Sequence, residues 1–363
     1  MYVVSFVVSY VFNTDSAKKH PKRDKNEEKN AFSSQKIWSF QKKAVLLQQQ
    51  TYPASRKNSA LRVSLFLNMA HYTDKPLSFS QQIALLKSNG LTIADESKTL
   101  HTLQQISYFR LKNYLTPLMS DKELHIFVPS ASFDQAYSLY KFDSRLRKLI
   151  AGELEKIEVS IRTQMAYILS NEVDIYWFAD SNNFGSFDKH AGILTNLQSE
   201  LDRSDDDQIL RFKRLYLDPF PPAWMTMEVT SFGTLSMLYK LLKPNLSKRR
   251  IANFYGISDS VFESWLHSIV YVRNICAHHS RLWNKTLRIR PLFPRKTGKT
   301  FISAPVRSDR LYYVLCIIQY LLLTVNPNTT FPARLKALLA EFPEVNPSAM
   351  GFPTHWEKEL IWQ

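Results

Sequence analysis

From Ser132 to Ser170 the apolar residues recur with the spacing of one long helix, interrupted only by Gly152. Leu139, Phe142, Leu146, Leu149, Leu154, Ile157, Ile161, Met165 and Ile168 supply its apolar face. An apolar face of that length holds in water only when other elements cover it. Much of the remaining chain also reads as helix. Ser78 or Ser80 can cap a helix running to Gly90, a natural left-handed terminator. A second helical run is predicted over about 95–118, with Ile106, Phe109, Tyr114 and Leu118 at helical spacing. The run Leu124 to Val128 reads as a strand or an extended loop. Residues 171–222 are mixed, with an acidic loop at Asp205, Asp206 and Asp207 and prolines at 219, 221 and 222. Helices are predicted again over 224–242, 248–255, 259–283, 308–323 and 332–342. No internal repeat of fixed period is present. The fold class expected is mostly α.

Composition narrows the chemistry. Hydrophobic content of 45% and aromatic content of 13% fit a globular chain, not a disordered one. Only 8 glycines occur and none builds a glycine-rich phosphate loop, which argues against a nucleotide-cradling α/β enzyme. Two cysteines, Cys276 and Cys316, rule out a disulfide framework or a four-cysteine zinc site and suit a reducing cytoplasm. The net charge of +15 points to a polyanionic partner. Residues 1–68 hold 12 Lys and Arg against 4 Asp and Glu, whereas the rest holds 35 against 28. About half of the excess therefore lies in a short basic leader. Three readings of residues 1–68 compete: a disordered tail, a membrane anchor, or an upstream extension of the reading frame that is not made. The last is favoured because Met69 directly precedes well-patterned sequence, which sets the expected domain at 69–363. The apolar stretch Met1–Phe12 is too short to span a bilayer as a helix.

The chemistry-bearing residues gather near the end of the predicted helix at 259–283. At about 100° per residue, Phe262, Trp265, Leu266, Ile269, Val272 and Cys276 share the core face. Glu263, His267, Tyr271, Asn274, His278 and Arg281 form a second, polar stripe. Such a stripe is ordinarily a solvated face, but this one is rich in His, Tyr and Asn where Lys and Glu are usual. Arg273 stands roughly 140° from His278 on the same wheel, so a straight helix keeps the two apart. Its simplest role is to pair with a buried carboxylate or to cap carbonyls. Glu155 and Glu158, with Arg162 along the same face of the long helix, either form surface ion pairs or supply a carboxylate that orients Arg273 or a histidine, with Glu228 a weaker candidate. Cys276 and His279 at i,i+3 lack a second ligand pair for zinc, so Cys276 reads as a small core residue.

The run from Glu263 to Asn284, with Arg273-Asn274-Ile275-Cys276-Ala277-His278-His279 inside it, resembles the abortive-infection proteins of the AbiD/AbiF type, the Abi-like family. Ile106–Leu111, Glu155–Arg162, Pro222–Met225, Ser231–Ser236 and Ala349–Pro353 fit the same pattern. The resemblance runs from about Tyr72 to the C-terminus and omits residues 1–68. These proteins in turn resemble the HEPN superfamily, whose signature is an arginine, a polar residue (often Asn), and a histidine after a gap of four to six residues. The resemblance implies a HEPN-like helical bundle with additional N- and C-terminal helices. It also implies a homodimer and metal-independent cleavage of RNA in phage defence, with no cofactor. Carried over, Arg273, Asn274 and His278 are the expected catalytic residues. His279 also satisfies the gap; His278 is preferred because it shares a face with Asn274. His267, Tyr271, Glu158, Arg281 and His279 are expected in support. The expected partners are an RNA substrate, a small non-coding RNA and a second copy of the chain, in the cytoplasm and away from membranes. Arg273 set apart from the polar stripe makes the motif half of a site, which a second chain is expected to complete. The alternative is a non-catalytic RNA-binding or regulatory module.

Overall fold

In the computed structural model, which describes residues 75–363, Ser78 opens the first helix. Its hydroxyl accepts from the Gln81 amide while the Gln81 side chain accepts from the Ser78 amide, a capping box that starts α1 (Phe79–Ser88). Asp95 caps α2 (Glu96–Gln105). The single run predicted over 95–118 is two helices. Ile106 leaves the helical region, and the Ser107 hydroxyl then accepts from the Arg110 amide to start α3 (Tyr108–Leu115). Phe109, expected at an apolar position, is 82% exposed because the break rotates it away from the core. A small antiparallel hairpin follows, β1 (Met119–Asp121) with β2 (Ile126–Phe127).

The long helix is α4 (Phe133–Glu172), 40 residues opened by a second capping box from Ser132 and Gln135. Phe142, Leu146, Ile150, Leu154, Ile157, Ile161, Met165 and Leu169 are buried along it. The mixed stretch 171–222 contains two helices that periodicity alone did not reveal, α5 (Phe187–Arg203) and α6 (Asp207–Leu215). The acidic loop is a helix start: the Asp206 carboxylate accepts from the amides of Gln208 and Ile209. The helix predicted over 224–242 is divided into α7 (Ala223–Val229) and α8 (Phe232–Leu241), with Ser231 capping the second. α9 (Leu246–Phe254) and α10 (Asp259–Ala277) come next. Then α11 (Leu311–Val325) is buried at every position from Leu311 to Leu322, and α12 (Phe331–Glu341) precedes short 3-10 turns that end the chain.

α4 is the axis of the molecule, packing against α3, α7, α9, α10, α11 and α12. The fold is mostly α, as the pattern predicts, and Leu77–Gln363 form one compact unit. The readings of residues 1–68 fall outside the described residues. Among the described residues no helix is long and apolar enough to cross a membrane.

Candidate active site

The helix that carries the motif stops earlier than its periodicity predicts, and the stop shapes the site. α10 ends at Ala277, not near Trp283. The Ser280 amide reaches back to the Ile275 carbonyl at 3.0 Å and the His279 amide to Cys276 at 3.0 Å, while His279 takes φ +53°. This is the left-handed ending that glycine usually supplies. A histidine there costs on the order of 1 kcal/mol and persists only where its surroundings hold it. Two elements do so. From α3, the Arg110 guanidinium donates to the His279 carbonyl at 2.7 Å. From α4, the Asp143 carboxylate accepts from the Trp283 amide at 2.7 Å and the Leu282 amide at 3.2 Å. Asp143 also accepts from the Tyr114 hydroxyl at 2.6 Å and pairs with Arg147. Burial raises the pKa of its carboxyl, while Arg147, Tyr114 and the two amides pull it back.

A cleft of about 490 Å³ lies between α4 and the end of α10, with Arg147, Lys148, Glu158, Arg162, Arg273 and His279 among its walls. Arg273 Nη2 lies 3.3 Å and 3.4 Å from the two Glu158 oxygens, and Nη1 donates to Asn274 Oδ1 at 3.3 Å. Glu158 also accepts from Arg162 Nη2 at 3.0 Å. Arg162 is itself buried, donating to the carbonyls of Met227 at 2.5 Å and Thr230 at 2.8 Å. The break between α7 and α8 thus anchors Arg162, Arg162 anchors Glu158, and Glu158 holds Arg273. The Arg273 side chain remains 34% exposed, so its guanidinium faces both the carboxylate and solvent. Cys276 closes one wall, and burial pushes its thiol up to about 12, out of range for a nucleophile at neutral pH.

Glu158 and Arg273 share the cleft, and Asn274 touches the Arg273 guanidinium. His279, not the preferred His278, lines the cleft with Arg273. The preference assumed an unbroken helix; the left-handed turn at His279 sets that residue on the cleft wall and leaves His278 off it, although both are exposed. The turn brings His279, in place of His278, to the same cleft as Arg273. Tyr271 is half-buried and His267 exposed on the outer face of α10, and neither lines the cleft. Partial burial and Lys240 lower the His267 pKa, opposed by Glu263. Arg281 lies past the turn, half-buried. Glu155 lines the cleft, whereas Glu228 is exposed and does not. Arg110, Asp143, Arg147 and Lys148 were not singled out from sequence. Asp143 and Arg147, an i,i+4 acid–base pair inside a strongly apolar helical face, were the available signal. Among the described residues, no group of three or more His, Cys, Asp or Glu side chains converges as metal ligands would.

The family described as Abi-like protein matches residues 101–284, a span that contains Arg110, Asp143, Glu158, Arg273 and His279. No curated protein matches the chain, and no solved structure does. Since the match takes in 184 of its 363 residues, the chain belongs to the Abi-like protein family.

Proposed function

We propose that this protein is a metal-independent endoribonuclease of HEPN type that acts in phage defence. Membership of the Abi-like family suggests a role in abortive infection; the nuclease chemistry is inferred from the cleft. The observation that carries it is the meeting of Arg273, held by Glu158, with His279 in one cleft.

RNA carries its own nucleophile, the 2′-hydroxyl next to each phosphodiester, so the protein has only to position, neutralise and move protons. In the proposed step the 2′-oxygen bonds to phosphorus as the bond to the 5′-oxygen breaks. His279 takes the proton from the 2′-hydroxyl, and the departing 5′-oxygen receives a proton from that imidazole or from His278. Arg273 neutralises charge on the phosphoryl oxygens, with Glu158 and Asn274 fixing its fork. The products are a 2′,3′-cyclic phosphate and a 5′-hydroxyl. A homodimer is the proposed assembly. The exposed Val159 and Tyr167 on α4, beside and beyond the cleft, support it. A small non-coding RNA is a proposed regulatory partner.

The test is cleavage of single-stranded RNA by the purified chain, with end-mapping of the products. Arg273→Ala and His279→Ala are each expected to slow cleavage by about 100-fold or more, His278→Ala by less, and 2′-deoxy substitution at the cut site to abolish it. Wild-type protein that leaves RNA intact, or His279→Ala cutting at the wild-type rate, would overturn the reading. One observation favours a second reading, a module that binds RNA without cutting: Arg273 already has a carboxylate partner in Glu158. On that reading, toxicity on expression survives both substitutions.

A further inference from the structure

Several arginines among the described residues are matched to a carboxylate. Arg145 pairs with Glu341, Arg147 with Asp143, Arg250 with Glu172 and Arg334 with Glu153. Arg307 and Arg290 share Asp309 at 2.9 Å and 3.9 Å. The stretch just past the motif instead gathers three basic residues without such a partner. Among the described residues, Arg281, Lys285 and Arg288 have no carboxylate within salt-bridge distance, and both arginines lie close enough to Lys285 to repel its charge. Partial burial and the charges of Arg281 and Arg288 lower the Lys285 pKa, with Asp143 opposing.

Backbone anchors, not counterions, hold these three cations in place. Asp143 grips the amides of Leu282 and Trp283, and the Leu287 amide donates to the Asp309 carbonyl at 2.8 Å. Leu282, Trp283 and Leu287 are buried, fixing the segment at both ends. Like charges gathered with only Asp143, itself already paired with Arg147, to oppose them are unfavourable in the free protein and are relieved when a polyanion arrives. The anchor also gives their location. Asp143 pairs with Arg147, which lines the cleft together with Ser144 and Lys148, so the cluster adjoins the cleft wall.

We infer that Arg281, Lys285 and Arg288 form a phosphate-binding subsite that grips the RNA strand beside the cleft. The inference rests on the reading that the cleft takes RNA. A continuous strand fits better than a single small anion, because three cations spread over eight residues of chain match successive phosphates. Contacts to phosphate give affinity and register without sequence preference.

The experiment measures binding of a fluorescent 2′-O-methyl oligoribonucleotide, which cannot be cut through its 2′-position, by anisotropy between about 50 and 200 mM salt. The triple variant Arg281→Ala, Lys285→Ala, Arg288→Ala is expected to bind at least about tenfold more weakly. The slope of log affinity against log salt should fall by about 2, the value for three lost single-strand phosphate contacts. Arg281→Lys with Arg288→Lys, which keeps the charges, is expected to retain most of the affinity. A second triple, Lys122→Ala, Lys189→Ala, Lys358→Ala, removes the same charge from exposed positions elsewhere and is expected to leave the slope unchanged. Unchanged binding in the first triple, or equal losses in both, overturns the subsite. Cleavage of ordinary RNA is scored separately. Binding through these residues without any cleavage sinks the nuclease reading and leaves the subsite standing; cleavage with an indifferent triple does the reverse.

Discussion

Two side chains remote from the motif in sequence decide where its last histidine points. Arg110 reaches from α3 to the His279 carbonyl, and a charge-assisted bond of this kind is worth about 1.5–3 kcal/mol. Removing it frees a left-handed residue that has no glycine-like tolerance for that conformation. Arg110→Ala is therefore expected to lower kcat for RNA cleavage by about tenfold with little change in KM. Arg110→Lys should restore part of the loss. A kcat unaffected by Arg110→Ala would show that the turn holds itself. Asp143 carries more of the fold. It is buried against Arg147 and is the acceptor for two backbone amides and the Tyr114 hydroxyl. Asp143→Ala leaves a buried guanidinium without its partner and should reduce unfolding stability by about 3–5 kcal/mol, read from the midpoint of chemical denaturation. A change below about 1 kcal/mol would mean that Arg147 finds water instead.

At the scale of elements, α4 carries an inexpensive fault. Gly152 sits within the helix, is exposed, and a Cβ built there meets nothing within 4 Å. Gly152→Ala should raise stability by about 0.5–1 kcal/mol, mainly by restricting the unfolded chain. No gain on thermal melting would point to a required bend at that position. The long helix was the most legible feature of the chain because its apolar spacing is continuous and its start carries Ser132 and Gln135, a capping pair. The core face of α10 was equally plain, since Phe262, Trp265, Leu266, Ile269, Val272 and Cys276 are all buried. Boundaries were harder to read. Ser107 and Ser231 each start a helix inside a stretch whose apolar spacing runs on unbroken, so a cap divides what periodicity joins. The end of α10 was hidden for a related reason. His279 takes a backbone conformation usually marked by Gly, and the forces that hold it come from Arg110 and Asp143, far away in sequence. Arg273 and Glu158 were legible as residue types, whereas their shared geometry depended on how α4 packs against α10.

At the scale of the whole molecule, the family match and the folding unit have different limits. The match ends at Asn284, yet the most thoroughly buried helix is α11, which begins at Leu311. α11 packs directly on α4 and α10, the two helices that form the cleft. Trp265 of α10 donates its indole N–H to the Leu292 carbonyl at 2.9 Å and meets the rings of Phe301 and Tyr320 with centroids 5.2 Å and 5.4 Å away. The final turn seals the same core, with Trp362 fully buried against Tyr312, Phe331 and Trp356. A fragment limited to residues 101–284 would expose the faces of α4 and α10 that α11 covers and would lose the acceptor of the Trp265 indole. Its exposed apolar area would far exceed what a soluble monomer tolerates. We expect that fragment to aggregate or to lack fixed tertiary packing, with no near-ultraviolet circular dichroism and rapid proteolysis, while the full chain unfolds cooperatively. Within the full chain, Trp362→Ala should cost about 3–5 kcal/mol although it lies outside the matched span. A 101–284 fragment that stays monomeric and resists protease would refute this, and would place the cleft on a scaffold independent of the C-terminal helices.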